Sequence, residues 1–164
     1  MFKTDVIYDV VKMKKHLFTI CLFIVFTVFL PAQTAVRIEK LLEIKAVSYE
    51  QTAQLVLEAA GILGYATPIQ AFRYADKWRL LYRNTKAVPG NNASLEGISF
   101  LIMQSFELKG GIMYSLFQTP HYAYRELVYQ NIIQGRADPK MNVSGDLLLF
   151  LVNRVLSRKE EGLL

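Results

Sequence analysis

The sequence predicts an all-α fold, and three observations carry that expectation. Three segments open with a small apolar residue and a serine, follow with an acid, and then run apolar: VSYEQTAQLVLEAAGIL from Val47, ASLEGISFLIMQSFELK from Ala93 and VSGDLLLFLVNRVLSRK from Val143. Turn-forming clusters, PGNN from Pro89 and GRADPKMNVSGD from Gly135, stand just before the second and third. A hydrophobic fraction of 52% in 164 residues supplies enough apolar surface for one domain with a real core.

The first element reads as a leader. Lys12 to His16 (KMKKH) form a basic flank, and Leu17 to Leu30 (LFTICLFIVFTVFL) is an uncharged run that ends at Pro31, Ala32, Thr34 and Ala35. That is the layout of a secretory signal peptide over residues 1–35, with cleavage near Ala32 or Ala35; the same flank and run would also serve as an uncleaved anchor. Met13 could itself begin a compact signal peptide, which leaves residues 1–12 as an upstream extension. The expected helical domain spans residues 36–158, with 159–164 as a mobile tail.

RIEKLLEIKAV reads as a short helix just ahead of Ser48. The three serine-headed helices follow at Ser48, Ser94 and Ser144, spaced at about fifty residues, which is a repeat period. A serine hydroxyl accepts from an otherwise unpaired N–H of the first turn, and Glu50, Glu96 and Asp146 face the positive end of the helix dipole. Ser48 with Gln51 makes a capping box. Apolar pairs recur at one offset from each serine, Leu55-Val56, Leu101-Ile102 and Leu151-Val152, and the apolar residues cover more than one face, so these helices should be buried. A second helix type is expected over Ala123–Ile133, stopping at Gly135 as its left-handed C-terminal residue, with Ala75–Arg83 as its counterpart one unit earlier. GRADPKMNVSGD is then the joint between the two helices of one unit. The first unit is truncated, and Gly110-Gly111 is a junction leading into an extended run to Thr119.

The third unit, from His121 to Leu156, resembles an S-layer homology repeat: Tyr122-Ala123, Ile133, Gly135, Asp138, Pro139 and Val143-Ser144 fall in the order of that family's pattern. The second unit fits loosely and the first keeps only its second helix. The resemblance implies a pseudo-three-fold bundle of helix-loop-helix repeats that anchors non-covalently to peptidoglycan or a wall-linked polymer. Family members grip acidic polymer groups through an Arg in a Thr-Arg-Ala-Glu motif, where a guanidinium chelates a carboxylate. Here Tyr49, Leu95 and Gly145 stand at the Arg position, and Gln51, Gly97 and Leu147 at the Glu position. The remaining candidates for a glycan or partner are Arg136, Asp138, Arg125, Tyr122, Tyr124 and Trp78, since sugar rings stack on exposed aromatic faces flanked by fixed polar groups. The plain alternative for Tyr124 and Trp78 is a place in the core, and for Asp138 a brace across its own turn.

Other chemistry has little material. Cys21, the only cysteine, lies in the leader, which leaves the exported part no disulfide, thiol nucleophile or Cys-based metal site. His121 is the one histidine beyond the leader and has no acid at ligand spacing. No phosphate loop is present, and helix capping accounts for most of the acids a glycosidase would need. Neither a catalytic residue, a metal nor a cofactor is expected. Of the formal charge of +5, Lys3, Lys12, Lys14 and Lys15 belong to the leader, which speaks against nucleic acid; Arg73, Lys77, Arg79 and Arg83 read as one solvated helix face. The expectation is a non-catalytic exported module, in the periplasm or on the surface of a bacterium, with no membrane contact after cleavage. Its partner would be wall glycan or, alternatively, another envelope protein for which it serves as a structural adaptor, and a homodimer could supply the missing half-unit.

Overall fold

A computed structural model describes residues 35–82, 87–135 and 137–164. The chain divides into two compact units, residues 1–40 and 41–164. In the first, the described residues 35–40 are helical and mostly exposed. The leader, Cys21 and the expected cleavage site lie outside the described residues.

The second unit is all-α. Its helices are α1 (Tyr49–Ala59), α2 (Pro68–Lys77), α3 (Leu95–Ser105), α4 (Ile112–Phe117), α5 (Pro120–Tyr129) and α6 (Gly145–Glu160), and among the described residues there is no strand. The serines begin their helices as their chemistry requires. Ser48 Oγ accepts from the Gln51 N–H at 3.3 Å while Gln51 Oε1 accepts from the Ser48 N–H at 3.0 Å, the reciprocal capping box. Ser94 Oγ accepts from the Gly97 N–H at 3.2 Å. Ser144 has the same extended backbone but makes no such cap; its hydroxyl goes to Asp146, and with the Leu147 N–H it holds that carboxyl below the usual carboxylate range.

Helices α2 and α5 correct the expected boundaries of the second helix type. Both start earlier, each behind a Thr-Pro pair whose proline takes the first helical turn without costing a hydrogen bond. Thr-Pro-x-x-Ala-aromatic-Arg occurs twice, at Thr67–Arg73 and Thr119–Arg125. Both also end earlier and alike. Arg79 and Asn131 take left-handed backbone at φ 57° and 55°, and just beyond them Leu80 N–H donates to Ala75 O and Ile132 N–H to Leu127 O, each at 2.8 Å. The stop expected of Gly135 is thus made by Asn131. The run after Gly111, expected to be extended, is the short helix α4, set by Glu126 Oε2 accepting from the Gly111 N–H at 2.8 Å.

The three serine-headed segments meet through their backbones. Val47 N–H donates to Val143 O at 2.8 Å, Ala93 N–H to Val47 O at 2.8 Å and Val143 N–H to Ala93 O at 3.3 Å, a closed cycle of three bonds. All three residues are fully buried. The loops before the caps serve the neighbouring helix rather than their own. Tyr49 and Glu50 N–H donate to Asn91 and Pro89 O, Leu95 and Glu96 N–H donate to Met141 and Pro139 O, and Gly145 N–H donates to Ile44 O. These are first-turn donors that no residue within the helix can satisfy. The joint GRADPKMNVSGD therefore spends its carbonyls inside the fold.

In the packing α1 pairs chiefly with α2, and α3 with α5 across the short α4, while α3 and α6 both touch α1. Helix α3 is buried almost all round, with Leu95, Ile98, Phe100, Leu101, Ile102 and Met103 in the core. Helix α6 is one-sided, burying Leu148, Leu151, Val152 and Val155 and exposing Phe150. The tail is held more than its composition suggests: α6 continues through Glu160, and Leu164 packs partly buried against the core.

Candidate functional site

Three helices of the second unit finish at one groove. Its walls come from the ends of α1 (Ala60, Ile62), α2 (Tyr74, Trp78, Leu80) and α3 (Gln104 to Glu107), with Lys159 of α6 closing one side; its volume is ≈ 470 Å³. The convergence is a consequence of how the helices stop. Gly61, Arg79 and Glu107 all take left-handed backbone, at φ 71°, 57° and 53°, which turns the chain away sharply after each last turn. Helix C-termini carry partial negative charge, and Lys159 Nζ meets it by donating to Phe106 O at 3.5 Å, with the Phe106 ring 5.8 Å away.

Trp78 is the chief surface of the groove. It is the C-cap of α2 and remains 59% exposed, with the Tyr74 ring at 6.0 Å and tilted 41°, and Lys77 Nζ 5.6 Å from its centroid. Ser105 lines the groove too. It is only 5% exposed, and its Oγ has no hydrogen-bond partner. A hydroxyl left so costs about 1–3 kcal/mol, and its oxygen is closed off from the groove's solvent. Gln104 is positioned from behind: its Nε2 donates to Tyr114 OH at 2.8 Å. Burial pushes the Tyr114 phenol above its ordinary range, the Gln104 bond works against that, and the Glu126 charge adds to it.

The candidates named from sequence are not gathered in one place. Trp78 is in the groove. Tyr124 is buried, its hydroxyl donating to Ala137 O at 2.6 Å, so its ring offers no free face. Asp138 Oδ1 accepts from the Lys140 N–H at 2.9 Å, bracing its own turn. Tyr122 is half-buried and stacked on Phe117 at 5.5 Å, and Arg125 is exposed on α5. Arg136 lies outside the described residues. Sequence reasoning missed Tyr74, Ser105, Glu107 and Lys159, which come together only through helix ends. Among the described residues no three His, Cys, Asp or Glu side chains converge as metal ligands, and no helix is long and apolar enough to cross a membrane.

In comparisons with protein families, curated proteins and solved structures, none matches the chain.

Proposed function

We propose that this protein is a non-catalytic binding module of the bacterial cell envelope that associates with peptidoglycan or a wall-linked polymer. The observation that carries the reading is the groove at Trp78: an exposed indole with a second aromatic ring beside it, flanked by Glu107 and Lys159. A pyranose fits such a place because its C–H face stacks on the ring while its hydroxyls meet fixed polar groups, here Glu107 and Lys159. The closed cycle of Val47, Ala93 and Val143, together with three helices that each begin at a serine of extended backbone, supports the further reading of a pseudo-three-fold array like that of S-layer homology repeats with its first unit truncated. Export to the periplasm or cell surface belongs to the same proposal and rests on the basic flank and apolar run of residues 12–30.

Sedimentation with isolated sacculi tests it. The purified protein is expected to pellet with sacculi at moderate salt, and Trp78→Ala to weaken that association about tenfold, the usual cost of a central aromatic anchor. Protein that stays in the supernatant would leave the adaptor reading, in which exposed tyrosines such as Tyr65 and Tyr129 dock on another envelope protein.

A further inference from the structure

The groove at Trp78 is built from the negative ends of helices. Ala60, Trp78 and Phe106, the C-caps of α1, α2 and α3, all line it. Each such end carries about half a negative elementary charge, and cations are favoured there. Neither α1 nor α3 has a base in its last turn to answer that charge, whereas α2 has Lys77. By formal charge, Glu58, Asp76 and Glu107 at these ends balance Lys77, Arg79 and the Lys159 of α6, so the helix dipoles decide the sign of the field.

Two ammonium groups of the chain already answer that field. Lys77 Nζ lies 5.6 Å from the centroid of Trp78, and Lys159 Nζ lies 5.8 Å from that of Phe106 while donating to Phe106 O at 3.5 Å. Both lysines are exposed, on flexible four-carbon stems, so a ligand can exchange with them. An indole is the best side-chain ring for a cation, and Trp78 keeps most of its surface exposed. Glu107 adds a counter-ion. It lines the groove, is exposed, and takes left-handed backbone at φ 53°, as far beyond Ser94 as Gly61, at φ 71°, lies beyond Ser48. Glycine makes that turn without strain, whereas Glu107 makes it at a cost and brings a carboxylate to the groove wall.

We infer that the group seated against Trp78 is a primary ammonium, carried on an amino sugar or on a peptide stem of the wall polymer, with Glu107 as its counter-ion and Lys159 as the cation it competes with. The inference rests on the proposed glycan reading and narrows it, from a sugar ring of any charge to a wall component with a free amino group. It reverses the polarity that the S-layer resemblance implies, in which an Arg of the protein grips an acidic polymer group; Tyr49, Leu95 and Gly145 stand at that position here.

Trp78 is the only tryptophan of the chain, so its emission reports on the groove directly. The full chain is titrated at about pH 6, where the probe amines are charged. The probes are a glucosamine tetramer and its N-acetylated counterpart, and a lysine-containing tetrapeptide and the same peptide acetylated at its amine. At least one free-amine probe should shift Trp78 emission and bind about tenfold more tightly than its acetylated twin, and the arm in which this happens tells sugar from peptide. Glu107→Gln should weaken that binding about fivefold, whereas Lys159→Met should strengthen it about twofold. An acidic ligand would reverse both signs and a neutral one would answer to neither, and either result overturns the inference. So does equal binding of free and acetylated probes in both arms, or no response to any of the four. Sacculi separate the inference from the reading beneath it, because chemically acetylated sacculi should no longer pellet the protein. Pelleting that survives acetylation overturns the ammonium and leaves the glycan; untreated sacculi that leave the protein in the supernatant, while a free amine still binds, remove the wall and leave the ammonium site.

Discussion

At Gly145 a single missing methyl decides how the chain can close. A Cβ built there would lie 1.7 Å from Leu41 O, whereas one at Gly90 would meet nothing within 4 Å. Gly145→Ala should therefore cost about 1–3 kcal/mol in urea unfolding, because backbone must move to admit it, while Gly90→Ala should stay within about 0.5 kcal/mol of the parent. The sequence shows both glycines next to turns and cannot tell them apart. Tyr114 makes a second residue-scale prediction. Burial raises its folded pKa above the ordinary phenol value, so its contribution is whole below that value and is lost as pH rises through the unfolded and toward the folded pKa. Denaturant midpoints from neutral pH to about pH 11 should fall less steeply in Tyr114→Phe than in the parent. An unchanged slope would place Tyr114 outside the titration.

At the scale of elements, the serine-headed helix starts were legible because they depend on side chains one to three residues away, whereas the starts of α2, α4 and α5 were not. Ser48, Ser94 and Ser144 open their helices as expected, yet only the first two cap with their hydroxyls. Ser48→Ala should cost about 1 kcal/mol, and Ser144→Ala distinctly less; equal losses in thermal or urea unfolding would mean that the hydroxyl bonds do not set the difference. Helix stops were less legible: the stop expected of Gly135 falls at Asn131. Arg79 and Glu107 adopt left-handed backbone with nothing in their type to announce the ends of α2 and α3, whereas Asn131 at the end of α5 is of a type that tolerates it. Arg79→Gly should stabilise by a few tenths to about 1 kcal/mol, since it relieves that strain in the groove wall without touching a cap.

For the whole molecule, the cycle of Val47, Ala93 and Val143 ties segments far apart in sequence through buried backbone bonds. Opening any one of them means separating helix starts that depend on the neighbouring loop, so the three should not open singly. Native-state hydrogen exchange should find the Val47, Ala93 and Val143 amides among the slowest, sharing one opening free energy equal to that of global unfolding. A Val143 amide that exchanges separately, with α6 peeling away, would show that the cycle does not couple the units.

The sequence by itself determined the all-α class, the three serine-headed helices and their apolar pairs, because capping and burial periodicity act over a single turn. It left Trp78 undecided between core and surface, and it offered no sign that Ser105, Glu107 and Lys159 would be neighbours. Those outcomes belong to the tertiary structure alone. Which helix ends meet depends on carbonyls of one loop reaching the N–H groups of another helix, a pairing across about forty to a hundred residues that no local pattern encodes.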